Sequence, residues 1–216
     1  MNSKGVSEVV GALMVVSLIV ATAGLIYVIS NPILFSSQEN IKYRKAFFDL
    51  LELKEKIENV KSGVEANSTY TVRLSGASLA FENRPVLIVD GREIIIASIK
   101  ISGSGWELWY ENGAIIEKYG GRMYHLPKIY YDPQGTLTMD VIQFAGNTSI
   151  GGTGYVTLSL KLASVEKKEY SNASVAMISE NSEAWKKFFR EIGLEVDGSL
   201  TFNVSRLLLT IYRVEV

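Results

Sequence analysis

Hydrophobic residues are distributed in two different ways before and after about residue 38. No aspartate, glutamate, lysine or arginine occurs from Val9 through Gln38, and the stretch from Val9 to Ile29 is apolar on every face of a helix. Some twenty helical residues, at about 1.5 Å each, cross the roughly 30 Å hydrocarbon core of a bilayer. The stretch therefore predicts a transmembrane helix. Two alternatives are a buried helix of a soluble core and a secretory signal peptide cleaved near Ala21-Thr22-Ala23.

From residue 38 to residue 60 apolar residues recur at helical spacing and alternate with charged ones. The pattern predicts an amphipathic helix that packs on the domain that follows, with packing on sister subunits as the alternative. Asn31-Pro32 predicts a kink or short break before it, because proline lacks a backbone donor and clashes with the preceding turn. Ser62-Gly63 predicts its end. The apolar stripe consists of Ile41, Phe47, Phe48, Leu50, Leu51, Leu53, Ile57 and Val60.

The rest of the chain is typical of short strands. β-branched runs flank Asp90-Gly91 and Asn112-Gly113, dipeptides that accept positive φ at both turn positions, so two hairpins are predicted. Further strands are predicted at 70–74, 78–81, 136–142, 155–162 and 200–216. One late helix is predicted at 182–192, capped by Asn181 or Ser182 and stopped by Gly193. The fold class is α+β, a long N-terminal helix followed by a mainly antiparallel β domain with one late helix.

Composition narrows the possible functions. The 22 Lys and Arg residues against 23 Asp and Glu residues give a net charge of -1, which argues against nucleic acid as a partner. Zero cysteines exclude disulfides, thiolate catalysis and iron–sulfur clusters, and the single histidine, His125, excludes a multi-histidine metal site. No cofactor is expected. A hydrophobic content of 47% and a mean hydropathy of +0.15 support a segment buried in lipid.

A short polar leader precedes the apolar run. The sequence Lys4-Gly5, followed by Val6-Ser7-Glu8-Val9-Val10-Gly11-Ala12, resembles the class III signal peptide of archaeal type IV pilin-like proteins. The resemblance implies cleavage between Gly5 and Val6 by a membrane-embedded aspartic peptidase on the cytoplasmic side. Gly5 has no side chain to obstruct a protease pocket, and Lys4 helps hold the leader on the cytoplasmic face. Glu8 would be the third mature residue, whereas bacterial pilins carry a glutamate at the fifth.

The same resemblance implies a domain organisation and a location. Residues 1–5 would be the leader, 6–37 a helix that spans the membrane or lies in a filament, 38–63 the amphipathic helix, and 64–216 an extracellular β-rich domain. Lys42, Arg44 and Lys45 outnumber Lys4 on the other side of the helix, but long domains translocate largely regardless of charge. Sister subunits and an ATP-driven assembly machine are the partners implied by the family.

Small residues mark one side of the apolar helix. Ser17, Ala21 and Gly24 follow each other at spacings of four and three, so they share a face where another helix can approach closely. This face is a candidate for filament packing. The alternative is that small residues are simply common in membrane helices.

Four Asn-x-Ser/Thr sequons are candidates for N-glycosylation: Asn67, Asn147, Asn172 and Asn203. Asn203 lies inside a predicted strand, whereas the other three lie in polar or glycine-rich stretches. Several sequons favour an exported surface glycoprotein, and the alternative is that composition alone produces them.

No catalytic constellation is apparent. His125 has no nucleophile elbow or cysteine near it, and Asp132 and Asp140 are interpreted as a turn opener and the polar face of a strand rather than an acid–base pair. The aromatic residues Trp106, Trp109, Tyr110 and Tyr119 would form either a binding face or part of the core.

The expected function is therefore not enzymatic. The protein is expected to be a pilin-like subunit, retained after cleavage and either polymerised through its apolar helix or serving as a minor pilin, with a role in adhesion or motility. The alternative is a membrane-anchored surface domain that binds the S-layer, glycans or other surface proteins without polymerising.

Overall fold

The computed structural model describes residues 3–82, 84–145 and 149–216, with the side chains of the N-terminal helix described from Val10 onwards. The chain divides into two compact units, Met1–Ile41 and Lys42–Val216. The fold is α+β, as predicted: a long apolar N-terminal helix, a mainly antiparallel β domain and one late helix.

Helix α1 spans Ser3–Lys61 and includes Pro32. Of the kink or short break predicted at Asn31-Pro32, the break is therefore wrong, because the helix continues through Pro32. Proline removes only one backbone donor, and helical geometry on both sides of it maintains the remaining hydrogen bonds of the helix. The predicted end is confirmed, since Gly63 has a φ of +75° and its amide donates to the carbonyl of Val60 at 3.2 Å.

Thirteen strands and a second helix follow in the described part of the chain. The strands are β1 Asn67–Arg73, β2 Ser78–Glu82, β3 Val86–Val89, β4 Arg92–Ile95, β5 Ser98–Gly103, β6 Trp106–Glu111, β7 Ala114–Glu117, β8 Arg122–His125, β9 Ile129–Tyr131, β10 Thr136–Ala145, β11 Ser149–Gly151, β12 Tyr155–Ile178 and β13 Thr201–Glu215. Helix α2 spans Ser182–Glu191, with Asn181 as its N-cap residue and Gly193, at a φ of +94°, after its end.

The strands form two sheets. One has the order β4-β3-β12-β13-β10-β9, with β1 also paired to β12, and the other has the order β11-β2-β5-β6-β7-β8. All described pairs are antiparallel except β10 with β13, which run parallel from Thr136↔Arg206 to Ala145↔Glu215. Strand β12 pairs with β13 along most of its length, so these two long strands form the centre of the first sheet.

Both predicted hairpins are present. Asp90 and Gly91 connect β3 and β4 with φ values of +49° and +78°, and Val89 pairs with Arg92. Asn112 and Gly113 connect β6 and β7 with φ values of +49° and +87°. Positive φ at both central residues is the geometry that matches the twist of the flanking strands.

The apolar core is divided between two clusters of buried residues. One packs α2 against the first sheet, with Trp185 and Phe189 among its largest members. The other packs residues 46–60 of α1 against β1, β2, β5 and β6. Burial of each large side chain contributes about 1.5–3 kcal/mol relative to exposure, so this contact fixes the second half of α1 to the β domain. The predicted packing of the amphipathic helix on its own domain is thus confirmed, through Ala46, Leu50, Leu53, Ile57 and Val60.

Two residues of the predicted stripe are not part of that contact. Ile41 and Phe48 are exposed, whereas Phe47 and Leu51 are half-buried at the edge of the cluster. The buried residues recur at spacings of four and three from Ala46, and Phe48 lies on the other side of the helix from them.

Candidate membrane-spanning segment and assembly surface

The N-terminal half of α1 is apolar and exposed. Its most hydrophobic 18-residue window has a mean hydropathy of 2.5, and none of that window is buried. Length and composition allow this helix to cross a membrane, and it is the one such helix among the residues that the structure describes. The alternative of a buried helix in a soluble core is not supported. The exposed large side chains include Leu13, Met14, Val16, Leu18, Ile19, Leu25, Ile26, Tyr27, Leu34 and Phe35.

Polar groups within this segment are compatible with lipid. The Thr22 hydroxyl donates to the carbonyl of Leu18 at 2.7 Å, so its one strong donor is satisfied inside the helix. The backbone amides and carbonyls are paired along the helix in the same pattern, which is the condition that a membrane interior imposes, except that Pro32 supplies no donor for the carbonyl of Val28.

The small-residue face is open. Ser17, Ala21 and Gly24 are exposed, and a Cβ added at Gly24 would meet no atom within 4 Å. A second helix can therefore approach this side closely. Use of the face in assembly stays a prediction.

The leader residues are only partly described. The backbone at Lys4, Gly5, Val6 and Glu8 belongs to α1, but their side chains lie outside the described part of the structure. Cleavage between Gly5 and Val6, and any role of Glu8 in assembly, stay predictions.

Three of the four sequons lie on exposed positions of strands. Asn67 begins β1, Asn172 lies in β12 with a φ of +52°, and Asn203 lies in β13 opposite Ser174. The side chains of all three are exposed, so the chain itself does not obstruct modification. Asn147 lies outside the described residues.

The candidate catalytic residues do not form a catalytic site in the described structure. His125 ends β8 beside the ring of Phe47, 6.3 Å between centroids, and partial burial together with Lys54 lowers its pKa. Asp132 accepts the amides of Gln134 and Thr136 at 2.9 and 2.8 Å, which confirms it as a turn opener. Among the described residues no group of three or more histidine, aspartate or glutamate side chains is placed to hold a metal ion.

The predicted aromatic binding face is not formed. Trp109 is buried in the cluster beneath the first sheet, whereas Trp106 and Tyr110 are buried in the cluster beneath α1. Tyr119 is 69% exposed, apart from the other three. The interpretation as core residues is therefore correct for Trp106, Trp109 and Tyr110, but not for Tyr119. The three buried rings are divided between two clusters because successive side chains of a strand point to opposite faces.

A buried charge cluster joins the end of α1 to the first sheet. The Lys61 ammonium is 3.0 Å from Oε1 of Glu58 and 3.0 Å from Oδ2 of Asp140, and only 5% of its side chain is exposed. Lys128 reaches the other oxygen of Glu58 at 2.8 Å. Burial opposes ionisation of Glu58, but the hydrogen bonds and charges of Lys128 and Lys61 outweigh it and lower the pKa.

The turn between β6 and β7 is held next to this cluster. The Asn112 side chain donates to the carbonyl of Asp140 at 2.7 Å and accepts the amide of Ile142 at 3.0 Å. The Asn112 side chain therefore hydrogen-bonds to one carbonyl and one amide of β10, while the Asn112 backbone forms part of the hairpin turn. The sequence pattern predicts the turn but not this contact, which joins residues 28 and 30 positions apart.

A second buried carboxylate connects the two sheets to α2. Glu111 is 1% exposed and accepts hydrogen bonds from Ser179 at 2.9 Å, from Asn181 at 2.6 Å and from the Trp185 indole at 2.6 Å. Burial raises its pKa, against the effect of these three donors. The Asn181 side chain is thus used for Glu111 and makes no hydrogen bond to the first turn of α2. All these groups are satisfied within the fold, which is the arrangement of a structural site.

Comparisons with known proteins identify a relative of this chain and a family. A protein of Archaeoglobus fulgidus with the description "Uncharacterized protein" is 31% identical over 221 residues, which cover 88% of this chain and 83% of the relative. No solved structure matches. The profile of the "Family of unknown function (DUF7289)" matches residues 4–215. The chain belongs to the DUF7289 family.

Proposed function

We propose that this protein is a pilin-like cell-surface subunit. Its leader is removed after Gly5, its apolar helix is retained, and its β domain lies outside the cell. The subunit is either polymerised through the helix or serves as a minor pilin. The observation that carries the proposal is the apolar, exposed segment of α1, directly preceded by the Lys4-Gly5 leader and followed by a β domain with its own core.

The energetics of the helix support retention in the membrane before assembly. Each Leu, Ile, Val or Phe near its centre contributes roughly -0.3 to -0.6 kcal/mol to insertion, and more than a dozen such residues contribute several kcal/mol together. Transfer from lipid to a bundle of sister helices gains no hydrophobic energy, because lipid tails are equally apolar. Close packing must supply the gain, and the open face at Ser17, Ala21 and Gly24 is suited to it.

A second candidate is an anchored domain that binds carbohydrate or another surface component without polymerising. It is favoured by an open recess beside the end of α2. Tyr131, Asp197, Thr201 and Asn203 line this recess and supply an aromatic ring, a carboxylate, a hydroxyl and an amide. Such a mixture suits a sugar, which presents both apolar ring faces and hydroxyl groups.

Processing is tested by the intact mass of the chain purified from membranes. The expected product lacks residues 1–5 and begins at Val6. Gly5→Leu is expected to prevent this cleavage, because the added side chain obstructs the protease. Gly11→Leu introduces the same side chain into open space six residues later and should be processed normally. A product that begins at Thr22 or Gly24 would instead identify an ordinary signal peptide.

Shearing of cells separates the two candidates. A polymerised subunit is expected in the sheared filament fraction, whereas an anchored domain stays with the membrane pellet. Recovery from the pellet alone, with residues 1–5 removed, would favour the anchored domain.

A further inference from the structure

The outward side of the second half of α1 carries an exposed stripe of mixed character. Arg44, Phe48, Glu52 and Glu55 follow each other at spacings of four, four and three, and all four are exposed. Glu52 lies at the edge of this group, where its carboxylate also interacts with the hydroxyl of Tyr70. Phe48 is 64% exposed, an unusual position for a phenylalanine on a helix that already buries an apolar stripe. We call these four residues the outer stripe.

A shallow aromatic groove lies beside the outer stripe. It measures about 280 Å³ and is lined by Tyr43, Arg44, Phe47, Phe48 and Tyr124. The rings of Phe47 and Tyr124 meet edge to face at 5.1 Å, and the Tyr124 hydroxyl donates to Glu117 at 2.8 Å. Tyr124 is thereby fixed in position, so the groove is preformed.

The charges of the outer stripe are separated along the helix. Arg44 lies before Phe48, and the two glutamates lie after it. Among the described side chains, neither Arg44 nor Glu55 has an ion-pair partner within 4 Å. A surface with a cation at one end and anions at the other is complementary to a displaced copy of itself.

We propose that the outer stripe is an interface between copies of this chain, in which Arg44 of one subunit faces Glu52 or Glu55 of the next. This proposal rests on the proposed function, because subunits anchored in one membrane have parallel helices. Parallel helices bring these charges together only when one copy is displaced along the axis by eight or eleven residues, roughly 12 or 16 Å. Phe48 then lies between the charged ends and contributes the apolar part of the contact.

The contact acts together with the apolar helices and not alone. One helical stripe buries far less than the roughly 1,200 Å² of a stable protein–protein interface. Its role is to set the displacement between neighbours, since opposite charges specify register more than affinity.

Cysteine crosslinking of the full chain in sheared filaments tests the displacement directly, since the chain has no cysteine of its own. The double variants Arg44→Cys/Glu52→Cys and Arg44→Cys/Glu55→Cys are designed to cover the two displacements. A ladder of disulfide-linked species is expected from at least one of them on oxidation, and monomer from each single variant. The matched control is Glu183→Cys/Glu191→Cys, two exposed positions on α2 with the same spacing of eight, which should give no ladder. Self-crosslinking of Phe48→Cys alone would indicate helices that are either parallel without displacement or antiparallel, and either result overturns the proposal.

Charge reversal supplies a second readout. Arg44→Glu is expected to lower filament yield about two- to fivefold, the range for loss of an exposed ion pair. Arg44→Glu combined with Glu52→Arg and Glu55→Arg restores the yield, because the stripe remains complementary to itself. All three positions are exposed, so the thermal unfolding of the β domain serves as the check on folding.

The two proposals fail in different ways. Filaments that form equally well in every variant, without crosslinks, overturn the interface alone. A wild-type chain that retains residues 1–5 and is never recovered in filaments overturns the proposed function and this interface with it.

Discussion

The two halves of helix α1 differ in how their apolar residues are distributed around the helix and in how many of them are buried. From Val10 to Phe35 they surround the helix and stay exposed, whereas from Ala46 to Val60 most of them lie on one side and are buried or half-buried, with Phe48 as the exposed exception. The second half has therefore found its apolar partner within the chain, and the first half has not. The difference separates a helix that stabilises a domain from one whose partner must be lipid or another protein.

Truncation of one leucine in each half gives the largest contrast. Leu50→Ala removes a fully buried side chain and is expected to lower the free energy of unfolding of the β domain by about 2–5 kcal/mol. Leu18→Ala removes an exposed one and should change it by less than about 0.5 kcal/mol. Urea unfolding of the full chain in detergent measures both, through the fluorescence of three tryptophans that all lie beyond residue 105.

Phe48→Ala is the matched control within the second half, since Phe48 is exposed on the opposite side of the helix. It should behave like Leu18→Ala. Equal destabilisation by Leu18→Ala and Leu50→Ala would show that both halves stabilise the same folded unit, and the comparison would be wrong.

The sequence distinguished these halves correctly because the relevant signal is local. An apolar residue on every face and an apolar residue every three or four positions are visible without any tertiary contact. The same holds for the hairpins at Asp90-Gly91 and Asn112-Gly113, where the turn residues determine the backbone. A break at Pro32, one of the two outcomes predicted there, does not occur, since a local rule for helix breaking is outweighed by the turns on either side.

Contacts between residues that are far apart in the sequence produce no local pattern from which they could be predicted. Lys61 and Asp140 are 79 residues apart, and Glu111 and Trp185 are 74 residues apart, so neither pair can be predicted from spacing. Strand β12 was predicted to end at residue 162 but continues to Ile178. Most side chains between residues 163 and 172 are exposed on both faces of the strand, so no alternation marks them as part of a sheet.

The buried charge cluster offers a smaller test of how the second half of α1 is held. Lys61→Met removes the cation shared by Glu58 and Asp140 and leaves both carboxylates with fewer partners. We expect a loss of about 1–3 kcal/mol in the free energy of unfolding. Lys128→Met removes a cation with a side chain 58% exposed, for which about 0–1 kcal/mol is expected. Similar losses in both variants would mean that burial of the lysine does not determine how much its ion pairs contribute to the free energy of unfolding.

The smallest expected effect is a pH dependence of stability that has opposite signs for two carboxylates, the partly buried Glu58 and the buried Glu111. The pKa of Glu58 is lowered below its ordinary 4.5 in the folded protein, so its ionised form stabilises the fold above about pH 4.5. That stability is lost as the pH falls through the folded pKa. The pKa of Glu111 is raised above 4.5, so the folded protein binds its proton more tightly, and stability declines as the pH rises from 4.5 through the folded pKa.

Thermal unfolding of three proteins across pH 3 to 8 separates these contributions. Relative to the wild type, Glu58→Gln should flatten the acid side of the stability curve, because the group that must be protonated there is gone. Glu111→Gln should remove a decline on the neutral side and leave the acid side unchanged. If Glu58→Gln left the acid side as steep as in the wild type, ionised Glu58 would not be holding α1 to the sheet. Burial of Leu50 and its apolar neighbours would then account for the attachment of the second half, and the two halves of the helix would differ in apolar burial alone.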